Sequence, residues 1–376
     1  MAELGDNVPA YRTIRVSGPD GPVEAVADVA AWQARERYPD ILSAGGPLFG
    51  VVREREAGGW ELIAAFSART PQDARDTMGS RFRELAQELG RAGDTAARDE
   101  CMRAAERTEW EKTDGMTVLG VRYRIARAEC FVRSGPEGPE PPRPTDPDPM
   151  TAGESYRAPD PADGFVFDPA IPTGMSEGIL KVELLAMVPM SGVVPDGIRE
   201  DAQHALYSHP GGVLLPATYM TAKKVHGHWR PNSTATRTTP QGARDSLAMV
   251  LRVMIPWRGG LDEEERAPYS AAADRLDAER ADELEVEGLH FRVVRIERLV
   301  RIGPDGPEGP RPCDPDPQLP VMAQHQEWID QGLAAEDDED SDASVELDES
   351  ARKLKDLFDE EEARREKTHA ERRSSK

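Results

Sequence analysis

The chain has 376 residues, 38% of them hydrophobic, 6% aromatic and 31% charged, with 32 Gly, 32 Pro and a formal net charge of −23. That acidity opposes a broad, sequence-independent grip on nucleic acid or anionic lipid, and no apolar run approaches the roughly 18 residues that a membrane-spanning helix needs. The length suggests two or three domains, and the apolar fraction can fill packed cores if polar residues gather in loops and a tail.

The opening MAELGDNVPAYRTIRV lacks the basic and apolar regions of a secretory signal. Cys101, Cys130 and Cys313 lie far apart and form neither a CxxC nor a zinc spacing. A reducing, cytoplasmic setting is therefore expected.

Residues 13–17 (TIRVS) alternate as a strand, and Pro19-Asp20-Gly21 turns the chain. Residues 23–38 read as an amphipathic helix with Val26, Ala30 and Ala34 at helical spacing, stopped by Pro39. Residues 48–56 and 60–68 read as a hairpin about Ala57-Gly58-Gly59. Thr70-Pro71 is an N-cap followed by Pro at the first helical position, opening a helix to about residue 88. A further helix over 94–109 and a strand over 117–133 follow. Residues 150–175 form a linker in which Tyr156, Phe165, Val166 and Phe167 are too apolar for a free coil, so they are expected to pack on a domain surface.

The same landmarks then recur. Residues 120–149 and 288–317 are identical at 18 of about 30 aligned positions, both carrying GP[DE]GPE and PRPxDPDP. Trp60 precedes TPQDARD as Trp229 precedes TPQGARD, and Pro195-Asp196-Gly197 echoes Pro19-Asp20-Gly21. The second copy is read as strand 179–188, helix 198–207, strand 213–225, a strand after Trp229, a helix from Pro240, a helix over 261–282 and a strand over 286–301. The expected fold class is α+β: two tandem ferredoxin-like βαββ(α)αβ repeats, 8–149 and 176–318, forming a pseudo-dimer. Two independent domains on a string are the alternative. A short helix within 319–335 holds Met322 and Trp328. The region 336–376 comprises an acidic segment (336–344) that reads as disordered and a charged helix over 346–373 with Leu347, Ala351, Leu354, Leu357 and Phe358 as an apolar stripe.

Arg124, Arg127, Glu129 and Arg133 recur as Arg292, Arg295, Glu297 and Arg301. Arg124, Arg127, Arg292 and Arg295 are the candidates for clamping an anionic ligand bidentately. Ion pairing with the chain's own acids is the competing account. Trp60 and Trp229 either anchor the core or stack on a ligand. The proline segments either present Arg143 and Arg311 with Asp146, Asp148, Asp314 and Asp316 to a partner groove or brace the domain stiffly. Proline alternates with those aspartates, and no calcium-loop pattern follows. His226 and His228 share a strand face but lack a third ligand, which favours a turn; His204 and His209 remain unassigned. There is no GxSxG, GxxxxGK[ST], HExxH or strand-linked GxGxxG, so the sequence names no catalytic residue, no metal site and no cofactor.

With its repeated GP[DE]GPE…PRPxDPDP segments, the chain resembles members of an uncharacterised actinobacterial family of unknown function. That resemblance implies no activity and supplies no site residue. The duplicated element order is similar to two-domain ferredoxin-like proteins, including dimeric α+β barrels, some of which bind haem or act as monooxygenases; no matching ligand stands at a motif position here.

The leading expectation is a non-catalytic, cytoplasmic protein-interaction or regulatory scaffold that meets a protein partner through its tail, with Leu354, Leu357 and Phe358 as contact residues. The alternative is a small-molecule (anionic ligand) binding protein or enzyme with a pocket between the repeats. Nucleic acid binding by the tail's basic end ranks third, because neighbouring Glu residues match its Lys and Arg. No membrane partner is expected, and the oligomeric state is open, a monomeric pseudo-dimer being one arrangement.

Overall fold

The computed structural model describes residues 8–155, 158–232, 235–333 and 348–374. Tyr156, the acidic segment 336–344 and Leu347 lie outside the described residues. In chain order, the first half holds α1 (Pro22–Arg37), β1 (Asp40–Ser43), β2 (Leu48–Glu54), β3 (Trp60–Ala68), α2 (Pro71–Ala92), α3 (Thr95–Trp110), β4 (Gly115–Val118), β5 (Val121–Gly135) and β6 (Gly138–Pro139). A short β7 (Val166–Phe167) follows. The second half holds α4 (Met175–Leu185), α5 (Asp196–Ser208), β8 (Gly211–Val225), β9 (His228–Pro231), α6 (Pro240–Met249), α7 (Ile255–Gly259), α8 (Glu263–Glu279), β10 (Glu283–Val286), β11 (Leu289–Gly303) and β12 (Gly306–Pro307). The chain ends with α9 (Val321–Asp330) and α10 (Glu349–Ser374).

Local chemistry sets these boundaries. Thr70 and Thr239 cap α2 and α6 through their hydroxyls, with Pro at the next position, and Asp73 completes a capping box at Thr70. A π-helical stretch, Val250–Met254, separates α6 from α7. Pro256 follows it; a proline ring crowds the carbonyl four residues back, and a wider turn relieves that clash. Leu119-Gly120, His226-Gly227 and Glu287-Gly288 all take positive φ, the requirement of tight two-residue hairpin turns. His226 is thus a turn residue.

The strands form one twelve-stranded antiparallel sheet with the path β7-β3-β2-β5-β11-β8-β9. The halves therefore join edge to edge, through β5 and β11. Arg298 faces Cys130 at their crossing, while Glu297 faces Phe131 and Leu299 faces Glu129. Exchanging the two repeated segments maps this register onto itself. Phe167 in β7 is fully buried against Phe66, so the linker adds a short strand to the sheet edge. Helices α2 and α3 cover Phe49, Val51 and Ile125. The second half covers Phe291 with α6 and α8.

Two expected strands are not strands. Thr13–Ser17 is outside the sheet, making a single parallel bridge from Val16 to Thr173, and Val16 is left exposed. Residues 179–185 belong to helix α4, where Leu180 and Leu184 are buried and Val182 is exposed. Three Leu with Lys181 and Glu183 dominate that stretch and favour helix. The first half therefore runs α-β-β-β-α-α-β-β-β and the second α-α-β-β-α-α-α-β-β-β, and among the described residues neither opens with the strand that a ferredoxin-like unit needs.

Candidate functional site

The proline segments cross between the halves. Residues after β5 lie on the second half, and residues after β11 lie on the first. Arg127 Nε bonds Asp314 at 2.9 Å, and Arg295 Nε bonds Asp146 at 3.1 Å. The Arg127 amide donates to the Glu308 carbonyl and the Arg295 amide to the Glu140 carbonyl, at 2.8 and 2.9 Å. Arg124 and Arg292 donate to the carbonyls of Pro307 and Pro139, each at 3.1 Å. Arg75 reaches Asp316 and Arg244 reaches Asp148, at 2.7 and 2.6 Å. The Trp60 indole lies against Gly306, and the Trp229 indole against Gly138.

The structure thus places Arg124, Arg127, Arg292 and Arg295 on acids and carbonyls of the opposite proline segment. Trp60 and Trp229 lie beneath those segments, with the Arg124 and Arg292 guanidiniums over their rings at 5.4 and 4.9 Å. In the tail, Leu357 is buried and Phe358 is exposed, with Leu354 half-buried. Helix α10 lies on the second half through Arg266–Glu360 at 2.9 Å and Trp257 Nε1 on the Ser350 carbonyl at 3.0 Å.

On one side of the β5–β11 crossing, the charges close on Glu129. It accepts from Arg127, Arg301 and Arg311 at 3.0, 3.1 and 3.0 Å. Burial pushes this carboxyl up, but the three guanidiniums outweigh it and hold it at about 2. On the other side, Glu297 pairs with Arg295 and with Arg143, the latter at 3.4 Å. Arg133, the counterpart of Arg301, turns instead to Glu183 on α4, at 2.8 Å. Among the described residues its Nη1 has no hydrogen-bond partner, although the side chain is only 3% exposed. Arg301 Nη1 is also unpaired, but its Nη2 donates to the carbonyls ending α4.

Arg133 lines a cleft of about 830 Å³ between α1, α4, β8 and the first proline segment; Arg301 does not. α1 and α4 run parallel, tied by Asp28 to the Ser176 amide and by Arg35 to Glu183, both at 2.8 Å. The cleft draws residues from both halves: Arg35, Arg133 and Arg143 from the first, Leu214, Arg295 and Glu297 from the second. Thr173 Oγ1, buried and lining it, also lacks a partner among the described residues. Among the described residues, no His or Cys lines it. A smaller cavity of about 230 Å³ under α10 holds Arg252, which pairs with Asp274 and Asp277 at 2.6 and 2.8 Å.

Among the described residues, no group of three or more His, Cys, Asp or Glu is arranged to hold a metal ion, and no helix is long and apolar enough to cross a membrane. Sequence reasoning noticed Arg133 as a repeated residue but did not place it in the binding set, and it missed Arg35 and Thr173. The available signal was alternation: Arg127, Glu129 and Arg133 share one strand face.

Comparison with known proteins gives one match. Residues 21–317 fit the model of a family of unknown function, DUF5954. No curated protein and no solved structure matches.

Proposed function

We propose that this chain, which belongs to the DUF5954 family, is a non-catalytic binding protein that takes a small anionic ligand in the cleft at Arg133. One observation carries the reading: a buried guanidinium with one nitrogen unpaired among the described residues lines a large cleft, whereas its counterpart Arg301, whose Nη1 is also unpaired, does not line it. An unmet buried donor of this kind costs stability that an incoming carboxylate would return. The cleft's size suits a small molecule. Its hydroxyls, on Ser17, Thr173 and Ser176, share the cleft with no imidazole or thiol that could activate them, which supports binding without chemistry. Thermal unfolding of the full chain with benzoate and octanoate tests this. A ligand-dependent rise in Tm, abolished in Arg133→Ala, is expected. No rise, or the same rise in the variant, rules the reading out.

The repeat identity and the reciprocal contacts support a further part of this reading, that the halves are copies of one duplicated unit. A second reading, a regulatory scaffold meeting a protein partner through its tail, is favoured by Phe358, which is exposed on α10 beside buried Leu357.

A further inference from the structure

We infer that the cleft's ligand is a zwitterion: one carboxylate and one ammonium at opposite ends of an apolar body. The inference rests on the anion-binding reading above and adds the far end of the molecule.

Helix α1 turns Glu24, Ala27, Asp28, Ala31 and Arg35 toward the cleft. These positions are three, four, seven and eleven residues beyond Glu24, which puts them on one helical face. The wall is therefore acidic at its start, small and apolar in its middle and basic at its end. Glu24 and Arg35 are separated by about 16 Å along the axis at the usual helical rise. At the basic end, Arg35 shares Glu183 with Arg133, so the unpaired Arg133 nitrogen belongs to that end. At the acidic end, exposed Asp20 joins Glu24, and neither carries an ion pair or a side-chain hydrogen bond among the described residues. Asp28 is occupied by the Ser176 amide. Between the two ends, Leu180 and Leu214 offer an apolar floor.

Charge balance selects against other anions. The lining brings four arginines against five carboxylates, and all four already hold acids of the chain, with Arg133 Nη1 still unpaired among the described residues. A compact dianion such as phosphate would meet acids at one end and a single free donor at the other. A molecule with no net charge, its carboxylate at Arg133 and its ammonium at Glu24 and Asp20, meets the opposite charge at each end.

The test is calorimetric titration of the full chain with aminooctanoic acid carrying its amine at the chain terminus, octanoate, octylamine and inorganic phosphate. The expected order is the zwitterion at least tenfold tighter than octanoate, with octylamine and phosphate undetectable. Arg133→Ala should remove binding of both carboxylates. The double variant Asp20→Asn, Glu24→Gln, both sites being exposed and outside the core, should lower the zwitterion to the level of octanoate and leave octanoate unchanged. Octanoate binding as tightly as the zwitterion, or a double variant that discriminates as the parent does, overturns the zwitterion and leaves the anion site standing. Phosphate binding tightest overturns it in the same way. No binding by any of the four overturns both.

Discussion

At the scale of single residues, the chain handles its charges by burying arginines and meeting them with its own acids. Glu129 is the sharpest case. Its carboxyl is held at about 2 against an ordinary 4.5, because the guanidiniums of Arg311, Arg127 and Arg301 outweigh the cost of burial. A carboxyl whose folded pKa is depressed stabilises the fold above its unfolded pKa, and that stability is lost as pH falls through the folded pKa. The Glu129 contribution is therefore complete above about pH 4.5 and disappears toward about pH 2, and it amounts to about 3 kcal/mol. Glu129→Gln should destabilise by about 3–5 kcal/mol at neutral pH, since it strands buried guanidiniums. Urea unfolding of both proteins as a function of pH checks this. The gap should narrow as pH falls from 4.5 toward 2. A gap that stays constant over that window would show that Glu129 does not titrate as its surroundings dictate.

At the scale of elements, the proline segments act as clasps, and each is seated by a glycine against a tryptophan. Gly138 and Gly306 both hold φ near 110°, and a Cβ at either would run into the indole of Trp229 or Trp60. Gly138→Ala and Gly306→Ala should each lower stability by more than about 1 kcal/mol, combining a backbone penalty with a steric one. Gly18→Ala is the control: its φ is not positive and nothing lies within 4 Å of the added carbon. Calorimetric Tm values decide it, and equal values for all three variants would remove the clasp from the account. These elements also show which parts of the fold the sequence reveals. Helices α2 and α6 are readable because Thr-Pro acts within one turn of chain. Helix α4 was misread because Leu180, Val182 and Leu184 satisfy alternation, while Leu180 and Leu184 also satisfy a four-residue helical spacing. Thr13–Ser17 alternates as a strand should, but alternation does not supply a neighbouring strand. The cleft was hidden for a similar reason. Arg133 and Arg301 stand at matching repeat positions and look equivalent. They differ because α4, in whose place the described residues before α1 hold only a three-residue 3-10 turn, Ala10–Arg12, packs over Phe131 and Leu299 and gives Glu183 to one and its final carbonyls to the other.

At the scale of the whole molecule, the two halves complete each other. The sheet passes from β5 to β11 without a break, so separating the halves would bare two long central strand edges. It would also strip each half of the segment that meets its own arginines: Asp314 and Asp316 leave Arg127 and Arg75, while Asp146 and Asp148 leave Arg295 and Arg244. A buried charge without its partner costs several kcal/mol, and each half would hold several such charges. That total rivals the entire stability of an ordinary domain. Residues 8–175 and 176–318 made as separate chains should therefore lack cooperative thermal transitions, while the two mixed together should recover one. Circular dichroism melts and amide proton NMR spectra of each half and of the mixture measure this directly. A sharp melt from either half alone would mean that its local core, such as the α2–α3 cover over Phe49 and Ile125, suffices without the exchanged clasp. The cleft supplies a second, sharper criterion. Its lining comes from both halves, with Arg133 on one and Leu214 and Arg295 on the other, so ligand binding should be absent from each half and return only with the reassembled sheet.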